Sequence, residues 1–192
     1  SISGNYAIQE AEAVIVIGSR GVCQADCSGV GYPNSHTVLN INGDLDDLAH
    51  YANTIALPGD ITAVLDHLMS ALGDDTGADN RKDWLRSCAA KKEEWSEFKK
   101  ARINAEPLAD EVWQQPVLTQ PAALHTVSSF ANKVGAIKFF DAGDVQANGF
   151  QIVEDDAPGQ TFTETGASFM GFSGSALLGA AYVNDAKYGI AF

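Results

Sequence analysis

Ala13–Gly18 reads AVIVIG, an apolar run without the polar alternation of a half-solvated strand. A run of this kind is expected as a strand covered on both faces. Thr37–Asn42 (TVLNIN) and Thr54–Leu57 read as a second and a third strand. Asp60, after the Pro58-Gly59 break, is placed to cap a helix. On that helix Ile61, Val64, Leu65, Leu68, Met69 and Leu72 recur at helical spacing, and Gly73 ends it. Strands alternating with helices predict an α/β fold of parallel sheets with flanking helices in three layers.

The pattern restarts further on. Asp74–Asn80 is polar and reads as a surface linker, followed by a long charged helix over Arg81–Asn104. Its stripe of Trp84, Cys88, Trp95 and Phe98 is expected to dock the helix on a neighbour. Lys99, Lys100 and Arg102 share the helix with Glu93, Glu94 and Glu97 and read as a solvated face. Ala105–Pro116 reads as an extended connector. Thr119 caps a helix whose apolar face is Leu124, Val127, Phe130, Ala131 and Val134, closed by Gly135. Ala136–Phe140 is the next strand, Gln160–Thr163 a short extended piece and Lys187–Phe192 a final strand.

Composition removes several function classes. A net charge of −13 argues against nucleic acid, which needs clustered Lys and Arg. No apolar run is long enough to span a membrane, and the N-terminal residues lack the pattern of a signal peptide. Three cysteines, an odd number, fit a reducing, cytoplasmic compartment. Cys23 and Cys27 could be a ligand pair, but no second Cys/His pair stands at metal spacing, so no metal site is expected. His36, His50, His67 and His125 are scattered and read as structural or surface histidines. There is no P-loop and no GxSxG nucleophile elbow, and Ile17–Gly21 is not a dinucleotide fingerprint.

Two turns remain where chemistry could sit, Asp141–Asn148 and Thr165–Phe172. Each is a Gly-containing junction of strand and helix that could present backbone amides to a phosphate or a heterocycle, or simply make a tight connection. Met170-Gly171 in the second turn runs directly into a helix of small residues.

The order of these pieces resembles the thiamine-diphosphate-dependent enzymes of the acetolactate synthase and pyruvate oxidase group. The resemblance rests on AEAVIVIGSR (11–20), TVLNINGDLDDLAHYANTIALPGDITAVLDHLMSAL (37–72), the Trp-containing helix, LTQPAALHTVSSF (118–130), DAGDVQANGF (141–150) and GASFMGFSGSALLGAA (166–181). It is collinear over nearly the whole chain. The LTQ helix, the Trp-rich linker and the Phe-Met-Gly-Phe turn look most like the trihydroxycyclohexanedione hydrolases; acetolactate-synthase-like and decarboxylase-like relatives stay open.

The resemblance implies residues 1–76 as the C-terminal part of a Rossmann-like central domain and 77–116 as linker helix and connector. Residues 117–192 would be the N-terminal part of a thiamine-diphosphate-binding domain. It implies Met170 as the wedge under the cofactor's bend, with backbone groups of Gly166, Ser168 and Met170 at the aminopyrimidine edge, Gly143, Asp144 and Gln146 near the diphosphate, and Gly171 as a further cofactor-binding residue. Val145 or Gln146 stands where the family carries a histidine. The Mg²⁺ motif and the pyrimidine domain of the family have no counterpart in these residues. The chain is therefore expected to be a piece of a longer enzyme, a lyase, transferase or hydrolase acting on a small carbonyl substrate as a homodimer or homotetramer. No catalytic residue is assigned within it, and alone it is expected to be inactive and to bind cofactor weakly or not at all. A non-catalytic α/β module stays open beside this, either structural or binding a nucleotide such as FAD at Ile17–Gly21, near Arg20.

Overall fold

The computed structural model describes residues 2–19, 32–48, 53–73, 77, 81–183 and 188–192. Arg20, Gly21, Cys23, Cys27, His50, Lys187 and all of the Asp74–Asn80 linker except Gly77 lie outside them. The fold is α/β, with parallel sheets and flanking helices. The chain divides into two compact units, Ser1–Trp95 and Ser96–Phe192.

The first unit holds α1 (Ile2–Glu10), β1 (Ala13–Ile17), β2 (Thr37–Asn42), β3 (Thr54–Pro58) and α2 (Ile61–Leu72), followed by the start of α3 (Lys82–Ile103). β2 is the middle of a three-stranded parallel sheet, paired Ala13↔Thr37 on one side and Val38↔Thr54 on the other. Val38 and Ile41 are buried in it, and Asn40 donates from its buried amide to the carbonyls of Asp47 (2.8 Å) and Leu48 (3.3 Å). β1 departs from the expectation of cover on both faces. Val16 is buried, but Ile15 and Ile17 stay 56% and 46% exposed on the other side of this edge strand. Asp60 caps α2 through the Ala63 amide (3.0 Å) as expected, and Ile61, Val64, Leu65 and Leu68 are half-buried. Met69 and Leu72 are exposed, so the apolar stripe is wider than the surface that receives it. Trp84 of α3 stacks on Tyr6 of α1 at 6.3 Å, a docking contact of the kind its stripe predicts.

The second unit starts with the end of α3. The Ala105–Pro116 stretch is not a plain connector. It contains most of an antiparallel hairpin, β4 (Leu108–Asp110) against β5 (Gln115–Val117), whose turn is held by Asp110 accepting from the Val112 and Trp113 amides. Then come α4 (Gln120–Val134), β6 (Ile137–Phe140), α5 (Asp144–Ile152), β7 (Thr161–Thr163), α6 (Phe172–Val183) and β8 (Gly189–Ala191). The strands form a parallel sheet in the order β7-β6-β8. Thr119 caps α4 and Gly135 closes it at φ 68°, the left-handed conformation that glycine takes without strain. The buried row on α4 runs through Leu124, Ser128 and Ala131; Val127 and Phe130 fall to one side of it and are exposed.

All four residues of β6 are buried. Phe140 meets Leu124 and Ile152 in the core and stacks on Phe192 at 4.3 Å. Gly149 lets α5 lie on this strand, since a Cβ there would come within 2.6 Å of the Phe140 ring. Lys99 and Arg102 are not simply solvated, because the sheet-side groups of this unit lie within their reach. Lys99 pairs with Glu154, and Arg102 donates to Asn148 Oδ1 (3.0 Å). Lys138, fully buried in the middle strand, bonds to Asn132 and pairs with Asp155 at 2.8 Å.

A buried ammonium is tolerable only while its partner is present. Asp155→Ala is therefore expected to cost about 3 kcal/mol, whereas Lys138→Met in the Asp155→Ala background recovers most of the loss. Urea unfolding of the two variants checks this; equal stability of Asp155→Ala and the parent would contradict it.

Candidate functional site

Both turns singled out by sequence lie at the C-terminal ends of parallel strands, where open α/β sheets bind ligands. β6 ends at Phe140, and Asp141-Ala142-Gly143 leads into α5. β7 ends at Thr163, and Glu164–Gly171 leads into α6. The two turns form one connected structure.

Asp141 makes the first connection. Its carboxylate accepts from the Gly171 amide (2.8 Å), the Ser173 amide (3.2 Å) and the Ser173 hydroxyl (2.9 Å). These amides belong to the start of α6, which lacks internal acceptors for them. Gly171, immediately before the helix, has no side chain to cap it, and Asp141 supplies the cap from the end of β6. The Ser173 hydroxyl, then the Gly171 amide, hold the Asp141 carboxyl below its ordinary value.

Gln146 makes the second. Buried in the first turns of α5, it donates to Thr163 Oγ1 (2.6 Å) and to the Glu164 carbonyl (2.9 Å), and its Oε1 accepts from Ser168 Oγ (3.3 Å). Every polar atom of this side chain is committed to joining α5 to the second turn.

Glu164 closes the turn on itself. Its carboxylate accepts from the amides of Gly166 (2.6 Å), Ala167 (3.0 Å) and Phe169 (3.3 Å). These bonds, the Ala167 amide first, hold the Glu164 carboxyl below its ordinary value. The fold of the clasp places Ser168 at φ 51°, a conformation uncommon for a residue with a side chain, and Gly171 at φ 90°. Phe169 and Met170 are left pointing out, 64% and 88% exposed.

The predicted residues therefore divide. Gln146, Ser168 and Gly171 are brought together, the first two in direct contact and Gly171 through Asp141. Gly143, at φ 93°, precedes α5 without a side-chain cap, and Asp144 occupies the first position of that helix, both exposed. Gly166 donates its amide to Glu164. Met170 stands at the exposed tip. Asp141, Glu164 and Ser173 were missed as the groups that organise the site. For Glu164 the available signal was an acid two residues before the first glycine of a turn, placed to accept nearby amides; Asp141, whose partners lie 30 and 32 residues on, gave none.

Neither turn contains Lys or Arg, so Asp141, Asp144 and Glu164 carry the formal charge of Asp141–Asn148 and Glu164–Ser173. Among the described residues no group of three or more His, Cys, Asp or Glu is placed to hold a metal ion, and no helix is long and apolar enough to cross a membrane. A scan against protein-family models finds no match for this chain, and a search of curated proteins finds none either.

A carboxyl with a depressed folded pKa stabilises fully above its ordinary value and loses that contribution as pH falls through the folded value. The ordinary values are 3.8 for Asp141 and 4.5 for Glu164. The Gly166, Ala167 and Gly171 amide resonances are thus expected to stay constant from neutral pH down to about 5 and to move only below the ordinary carboxylate range. An NMR pH titration checks this, and a Gly166 midpoint above 4.5 would contradict the clasp.

Proposed function

We propose that the two joined turns are part of the cofactor site of a thiamine-diphosphate-dependent enzyme. Such an enzyme makes or breaks a bond next to a carbonyl in a small substrate. The single observation that carries the reading is the junction itself. Two turns are held together at the carboxyl edge of one parallel sheet by contacts that span 22 and 30 residues of chain, with Met170 displayed beside them. In this reading 1–76 and 117–192 belong to a Rossmann-like central domain and a diphosphate-binding domain, and the enzyme is a cytoplasmic homo-oligomer.

The residues fit the two ends of that cofactor unequally. Met170 offers an exposed, polarizable thioether for the face of a heterocycle, and the amides of the second turn suit a hydrogen-bonding ring edge. The diphosphate end does not fit the described residues. The two turns carry Asp141, Asp144 and Glu164 and no Lys or Arg, and among the described residues no group of oxygen ligands for Mg²⁺ accompanies them. The cofactor, when bound, supplies a carbanion at the thiazolium C2. The part of this chain is to orient the ring through Met170 and the turn and to keep that turn rigid through Asp141 and Gln146.

A second reading is favoured by one observation, the prior engagement of the turn's amides by Glu164 and Asp141. In that reading the turns are purely structural and the chain is a non-catalytic α/β module.

Calorimetry with thiamine diphosphate and Mg²⁺ separates the two. Contact through the ring end alone predicts a dissociation constant on the order of 1 mM, weakened further by Met170→Ala. No saturable binding would favour the structural reading. Sub-micromolar binding would contradict the poor fit of the diphosphate end.

A further inference from the structure

One stripe of α4 is polar. His125, Ser128, Ser129 and Asn132 recur at i, i+3, i+4 and i+7, and all four line a cavity of about 260 Å³. The remaining walls come from Lys99 and Ile103 of α3 and from Ile152, Glu154 and Asp156, at the end of α5 and in its connection to β7. That connection enters β7 at its amino end, so the cavity is separate from the two turns at the carboxyl edge of the sheet. Its volume is far above the roughly 10–15 Å³ that one water needs.

Most polar groups around the cavity already have partners. Lys99 pairs with Glu154, and Lys138 beneath Asn132 pairs with Asp155. The Asn132 amide donates to the Glu154 carbonyl (3.2 Å) and accepts from Lys138, and Ser128 donates to the His125 carbonyl (3.2 Å). Three lining groups differ. Among the described residues the His125 ring, the Ser129 hydroxyl and the Asp156 carboxylate have neither a hydrogen-bond nor an ion-pair partner. Each of the three can accept a hydrogen bond.

We infer that this cavity is a binding site for a small protonated primary amine, held by His125, Ser129 and Asp156. An ammonium has three N–H donors and no acceptor, which matches three unengaged acceptors in one cavity. Charge selects the same class. Glu154 neutralises Lys99 and Asp155 neutralises Lys138, which leaves Asp156 as the uncompensated charge of the lining. A carboxylate or phosphate would meet that charge with no free cation to offset it. Ile103 and Ile152 supply apolar surface for a short alkyl stem. The site stands or falls apart from the thiamine diphosphate reading.

The test is an NMR titration of the 192-residue chain at neutral pH with n-butylamine, using 1-butanol and butyrate as neutral and anionic probes of matched size. The amine is expected to bind with a dissociation constant on the order of 1 mM and to move the Ser129, Asn132 and Asp156 amides, while neither control saturates below about 10 mM. Asp156→Asn alters an exposed side chain and leaves the donation of the Asp156 amide to Gln160 in place. It is expected to weaken the amine about fivefold, the scale of a partly exposed ion pair. Ser129→Ala is expected to weaken it about threefold. Equal binding of the amine and 1-butanol, or an Asp156→Asn variant that binds as tightly as the parent, would overturn the site. A cavity that holds only water is the outcome in which no probe moves these amides, and it refutes the inference.

Discussion

The carboxylate of Asp141 is the contact on which the candidate site depends. It terminates the most buried strand of its sheet, and that strand cannot shift without disturbing Phe139 and Phe140, both almost fully buried. Its own amide donates to the Phe192 carbonyl (3.0 Å), which ties the same point to the end of β8. From this fixed position it caps α6, a helix that begins after a glycine and has no cap of its own. The exposed tip of Phe169 and Met170 is therefore set on a rigid base. A loop with two large apolar side chains in water would otherwise collapse onto the nearest surface.

Gln146 and Glu164 complete the arrangement in different ways. Gln146 is buried and uses its whole amide to join α5 to the turn. Glu164 accepts from the amides of its own turn. The first contact joins two elements and the second closes one turn on itself.

Much of the fold was legible because local signals and packing agree. Thr37–Asn42, the Asp60 and Thr119 caps and the Gly135 stop all stand where the sequence places them. Misreadings arose where burial depends on what lies opposite. A continuous apolar run cannot reveal that Ile15 and Ile17 lie on the open side of an edge strand, nor can helical spacing alone separate Val127 and Phe130 from the buried row of α4. The hairpin at Leu108–Val117 was hidden because its prolines suggested a plain connector; Pro116 sits on β5, in a sheet of only two strands. At the candidate site, glycines and Met170 mark the two turns that the structure joins. The acids that hold them were less visible, since a carboxylate that accepts distant amides leaves no periodic trace in sequence.

The most direct measurement is a crystal structure of the chain grown with thiamine diphosphate and magnesium. The predicted result places a ring against Met170, with the Asp141 contacts to Gly171 and Ser173 unchanged. A ligand bound away from Met170, or Asp141 parted from Gly171 and Ser173, would contradict it.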